Sequence, residues 1–106
     1  MSESQYLLSD AQMRQYITRG FVVLKTNLPA SLHETIYQKT EEAFEKEGNP
    51  GNNILPRVPE LNQVFADPAL TGGLQSVLGP GFIMHAHRHP HINPAHSGGG
   101  GWHKDS

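Results

Sequence analysis

Only two stretches of this 106-residue chain carry a strand signal, and they stand far apart. Phe21-Val22-Val23-Leu24 is short, apolar and partly β-branched, the pattern of a buried strand. Phe82 to about His89 alternates in polarity and forms the second. Two strands cannot close a sheet, and their edges present backbone groups that need neighbours. The remaining segments read as helices and loops in the order helix, strand, helix, loop, helix, strand, loop. The expected fold class is therefore α+β, with a sheet that these residues begin and do not complete.

The helices are signalled by their ends. Ser9 with Gln12 three residues on makes a capping box, and Leu8 and Met13 stand where a hydrophobic staple would be. Met13, Tyr16 and Ile17 follow at helical spacing, and Gly20 suits the position after the last turn, so the first helix is predicted over Asp10–Arg19. A second opens near Leu28-Pro29, with Pro29 at its first position or Ser31 as its cap. Leu32, Ile36, Ala43 and Phe44 form its apolar stripe, while Glu41, Glu42 and Glu45 read as a solvated face. Residues 48–53 are a loop by composition, and 54–65 are expected to be mostly loop with one helical turn near Leu61. Asp67 as N-cap and Pro68 at the first position start a third helix whose stripe is Leu70, Leu74, Val77 and Leu78. Gly72 and Gly73 each cost it about 1 kcal/mol relative to alanine, so it needs tertiary contacts. Gly79-Pro80-Gly81 ends it. Pro94 to Gly101 reads as a flexible loop, and Trp102 to Ser106 as a short terminal piece.

Composition narrows the function. No stretch approaches the roughly 18 apolar residues of a membrane span. A formal net charge of −2, with no Lys/Arg cluster, argues against a nucleic-acid partner. The absence of cysteine removes disulfides, thiol nucleophiles and cysteine-ligated metals together. The first five residues lack a basic and then apolar leader, and together with the cysteine count this predicts a cytoplasmic location.

The residue in excess is histidine. All but His33 of the seven lie after residue 84. His85, His87, His89 and His91 alternate, so in an extended chain they share one face with Cα atoms about 6.6 Å apart. They can be a polar strand face, a pocket wall or metal ligands, although Pro90 suits only an edge strand or its end. In His103-Lys104-Asp105, an extended backbone points His103 and Asp105 the same way and Lys104 away. An imidazole and a carboxylate side by side supply two of the three ligands of a two-histidine, one-carboxylate iron site. Chance alone supplies roughly 0.2 such pairs in a chain with this many histidines and aspartates, so the surroundings must decide.

Those surroundings form an ordered series. Leu8-Ser9-Asp10, Tyr16, Gly20-Phe21-Val22-Val23-Leu24, Leu28-Pro29, Asp67-Pro68-Ala69-Leu70, Val77-Leu78-Gly79, a strand, a glycine-rich loop and Trp102-His103-Lys104-Asp105 together resemble the phytanoyl-CoA dioxygenase family. The likeness runs over nearly the whole chain, and its specificity lies in the order and not in any one element. It implies an Fe(II)- and 2-oxoglutarate-dependent dioxygenase that hydroxylates a small organic substrate with dioxygen, releasing succinate and carbon dioxide. It implies that His103 and Asp105 are the first two iron ligands, and that the strand from Met84 to His91 helps wall the cosubstrate and substrate pocket. Which of His85, His87, His89 and His91 face that pocket stays open. Trp102 is either packing against the sheet or part of the substrate wall.

The family pattern continues to a distal histidine ligand and a nearby basic residue that pairs with the far carboxylate of 2-oxoglutarate. No earlier histidine of this chain occupies that distal position. Residues 1–106 are thus expected to form a single partial domain. A helical lead-in would run over about 6–81, and the first strands of a double-stranded β-helix, or jelly roll, over about 82–106. Alone, the chain would be inactive. Neither the substrate nor the oligomeric state is implied. An alternative from another class is a small non-enzymatic metal-binding module, in which the alternating histidines with His96 and His103 chelate Zn²⁺, Ni²⁺ or Cu²⁺.

Overall fold

A computed structural model describes residues 5–96 together with Gly98 and Trp102. Among these residues five α-helices follow one another: α1 (Asp10–Arg19), α2 (Ala30–Glu47), α3 (Ile54–Arg57), α4 (Leu61–Phe65) and α5 (Pro68–Leu78), with a 3₁₀ turn at Gly51–Asn53 leading into α3.

Two helix starts are built as their sequence predicts. The Gln12 amide donates to Ser9 Oγ at 3.1 Å and the Ser9 amide donates to Gln12 Oε1 at 2.9 Å, completing the capping box of α1. Gly20 ends that helix in the left-handed region at φ 84° and donates to the Tyr16 carbonyl. At α5, the Asp67 carboxylate accepts from the amides of Ala69 (2.9 Å) and Leu70 (3.4 Å), with Pro68 at the first helical position. The start of α2 differs from both expectations. Pro29 stands at the cap and not inside the helix, and no side chain caps it. Ser31 falls within the first turn, where its carbonyl accepts from Thr35 Oγ1. The segment expected to be mostly loop is also more helical, containing both α3 and α4. Pro56 is tolerated because α3 is a single turn, whose first amides have no intrahelical acceptor to lose.

The core is small. Leu32 and Ala43 of α2 are buried with Ile54 of α3 and with Val58, which is fully enclosed. Lys39 Nζ meets Glu60 Oε2 and ties α2 to the start of α4. The stripe of α5 is only half-buried, and Leu78 is exposed. Its most buried residues are Gly72 and Gly73. A Cβ at Gly72 would strike the backbone of Tyr6, and one at Gly73 would come within 2.6 Å of Leu24 Cδ1. The Leu8 amide donates to Ser76 Oγ at 2.9 Å, and that hydroxyl donates to the Gly72 carbonyl at 2.9 Å. Thus the amino-terminal segment and the chain after α1 are both seated on one face of α5.

The α+β expectation is overturned. Among the described residues there is no strand, and the regular structure is entirely helical. Neither Phe21–Leu24 nor Phe82–His89 forms a ladder, so no first strands of a jelly roll are present among those residues. The reason is pairing: a strand exists only through the N–H and C=O groups of a neighbour, and the two segments do not supply each other. Nor is the first segment buried. Phe21 is 53% exposed and Val23 67%, while Val22 and Leu24 turn inward. In the second, Ile83 is 88% exposed.

The surface reflects this. A monomer of 11.7 kDa is expected to expose about 5,900 Å², and this chain exposes 8326 Å². Its radius of gyration is 16.1 Å, against about 13 Å for a compact domain of this length. No helix among the described residues is long and apolar enough to cross a membrane.

The glycine pair gives a test. Helix propensity alone would make Gly72→Ala stabilising by about 1 kcal/mol. Because the methyl group meets backbone, the substitution is expected to destabilise by about 1–3 kcal/mol, read as a lower urea midpoint. Gly73→Ala, which meets only the end of the Leu24 side chain, should cost less.

Candidate functional site

The histidine-rich segment is held by the asparagine loop between α2 and α3. Asn49 Oδ1 accepts from the Gly51 amide at 2.8 Å, closing a local turn, while its Nδ2 donates to the Pro90 carbonyl at 2.9 Å. Asn52 Oδ1 accepts from the Arg88 amide at 3.1 Å. Two backbone points of the segment are therefore fixed by two side chains of one loop.

That loop is itself clasped. Arg57 on α3 reaches back to Glu47 at the end of α2, with Nη2 2.6 Å from Oε1 and Nε 3.0 Å from both carboxylate oxygens. Its Nη1 also donates to the Asn53 carbonyl at 3.1 Å. The hydrogen bonds from Arg57 hold the Glu47 carboxyl below the usual carboxylate range and raise the guanidinium in return. Lys39 lowers Glu60 in the same way.

On this support the alternation of side chains appears without a sheet. His87, His89 and His91 are exposed on one side, while Arg88 and Pro90 between them are half-buried on the other. The three rings lie in a row: 6.0 Å between the centroids of His87 and His89, 5.1 Å between those of His89 and His91, with planes 28° and 24° apart. His85 leaves the row. The chain bends at Ala86, and the His87 amide donates to His85 Nδ1 at 3.0 Å, which makes that nitrogen an acceptor. Arg88 packs along Met84 and donates from Nη1 to the His85 carbonyl at 3.4 Å, while its Nε is buried with no hydrogen-bond partner among the described residues.

Stacked rings aim their nitrogens side by side and not at a common point. Among the described residues no three histidine, aspartate or glutamate side chains are grouped so as to hold a metal ion. Trp102 is fully exposed at 105% of its reference area. The two expected iron ligands, His103 and Asp105, lie outside the described residues. Asn49, Asn52, Glu47 and Arg57, which position the histidines, carry no chemical motif. The loop composition marked a turn and gave no sign of what the turn would grip.

No protein-family model matches the sequence, and neither a curated protein nor a solved structure matches it.

The clasp predicts an acid limb in stability. A carboxylate whose folded pKa is depressed contributes fully above the unfolded value of about 4.3 and loses that contribution as pH falls through the lower folded value. The wild-type melting temperature is therefore expected to fall on acidification below about pH 4.5, and Glu47→Gln should flatten that fall. Identical pH profiles for the two proteins would show that the clasp is not coupled to folding.

Proposed function

We propose that this chain is the amino-terminal part of a non-haem Fe(II)- and 2-oxoglutarate-dependent dioxygenase of the phytanoyl-CoA dioxygenase type. Its reaction is hydroxylation of a small organic substrate, with dioxygen consumed and succinate and carbon dioxide released. What carries this is the ordered series from Leu8-Ser9-Asp10 through Asp67-Pro68 to Trp102-His103-Lys104-Asp105. The two helix starts that punctuate the series, Ser9 and Asp67, are the two whose side chains cap their helices.

The donor set suits the ion. One imidazole and one carboxylate, two residues apart, are donors that Fe(II) accepts, and they leave positions for a chelating cosubstrate. His103 and Asp105 would hold the iron, which with 2-oxoglutarate supplies the oxidising power for C–H hydroxylation. His103 must present an unprotonated nitrogen and Asp105 an ionised carboxylate, so both bind more weakly as pH falls. Trp102 next to the pair offers an apolar surface to substrate, and Lys104 serves no ligand role. The third ligand and the base that anchors the far carboxylate of 2-oxoglutarate belong to a later segment in the family pattern.

Assay of the whole gene product with Fe(II), 2-oxoglutarate and oxygen is expected to show succinate formation. His103→Ala or Asp105→Ala should lower it by more than the roughly 10–100-fold that loss of an outer-shell partner costs a metal site. Unchanged turnover in either variant sinks the assignment of ligands. Turnover by the purified 106-residue chain well above that of free iron sinks the view that the site is shared with a further segment.

A further inference from the structure

We infer that His89 and His91 form a surface chelate for one divalent transition-metal ion of the Zn²⁺, Ni²⁺ or Cu²⁺ class, separate from the His103–Asp105 pair and independent of the function proposed above. The spacing is the first argument. Two imidazoles bound side by side at about 2.0–2.1 Å, in square or tetrahedral geometry, have ring centres roughly 4.5–5.3 Å apart. His89 and His91 stand at 5.1 Å, whereas His87 and His89 stand at 6.0 Å. The approach that chelation requires is already made in one pair of the row and not in the other.

Availability is the second. Both rings are exposed, and neither makes a hydrogen bond among the described residues. Their planes are 24° apart, so binding requires each ring to turn about its outer torsion until one nitrogen faces the ion. That torsion is broad for histidine, and turning breaks no existing bond.

Pre-organisation is the third. The residue between the two ligands is Pro90, whose φ is locked by its ring and whose carbonyl is gripped by Asn49. The neighbouring Arg88 amide is gripped by Asn52. The backbone that sets the spacing is thus ordered before any ion arrives, which removes part of the entropic cost of binding. Arg88, the one charged side chain between residues 82 and 96, turns its guanidinium toward Met84 and the His85 carbonyl. No third protein ligand joins the pair among the described residues, so water completes the coordination. Neutral imidazole suits these ions, which fixes the class.

Calorimetric titration of the 106-residue chain with Ni²⁺ at about pH 7.5 tests the site, since both imidazoles must be neutral to bind. The expected result is one ion bound, with His89→Ala and His91→Ala each weakening it by at least the roughly tenfold that loss of a supporting group alone costs. His33→Ala should bind as the wild type does, and the double variant His103→Ala, Asp105→Ala should keep the binding that depends on His89 and His91. Absence of Ni²⁺ binding overturns the inference, as does binding that survives His89→Ala and His91→Ala. So does binding that is lost in the His103, Asp105 double variant, a result that would leave the oxygenase proposal standing.

Discussion

Close approach at Gly72 and Gly73 is what the arrangement of this chain depends on. These two positions lack side chains, so the backbone around Tyr6 and the side chain of Leu24 can lie directly against α5. Ser76 one turn further on adds a hydroxyl that serves the Leu8 amide and the Gly72 carbonyl at once. A helix carrying two adjacent glycines is intrinsically weak. Here the weakness is offset by the contacts it permits, so the helix and the segments packed on it stabilise one another. The buried apolar residues Leu32, Ala43, Ile54 and Val58 sit elsewhere, on α2, on α3 and just after it.

A second dependence runs from α2 and α3 outward. The Glu47–Arg57 clasp spans the asparagine loop, and the loop grips residues 88 and 90 by their backbone. The imidazoles of His87, His89 and His91 are therefore positioned from behind, through backbone hydrogen bonds, and their rings make no hydrogen bond among the described residues. This suits side chains that are to meet a ligand from solvent. It also separates two kinds of chemistry along the sequence: a row of imidazoles at 87–91, and the mixed imidazole–carboxylate pair at His103 and Asp105 on which the oxygenase proposal rests.

The exposed apolar residues of Phe21–Val23 and Ile83–Met84 belong to the same physical account. Their sequences carry strand character that the fold does not realise. Strand formation, however, is decided by partners that a local pattern does not contain. The segments stay unpaired and in part exposed, and the chain has about 2,400 Å² more surface than is expected for a monomer of its mass. The expected stripe of α5 fails at Leu78, which is exposed, while the close contacts of the helix fall at Gly72 and Gly73.

What the amino-acid sequence determined by itself is what acts over a few residues. The capping box at Ser9 and Gln12, the left-handed end at Gly20 and the Asp67–Pro68 start all close hydrogen bonds or fix dihedrals within three or four positions, and all are found as read. The shared face expected of His85, His87, His89 and His91 is met only in part: the last three alternate outward without a sheet, while His85 leaves the row at the Ala86 bend. Tertiary structure alone decided that the strand-like segments remain unpaired, that two glycines are the most buried residues of α5, and that Asn49 and Asn52 reach chain some forty residues away. Each of these depends on which distant groups come within hydrogen-bonding or van der Waals reach, and that is set by packing and not by the local run of residues.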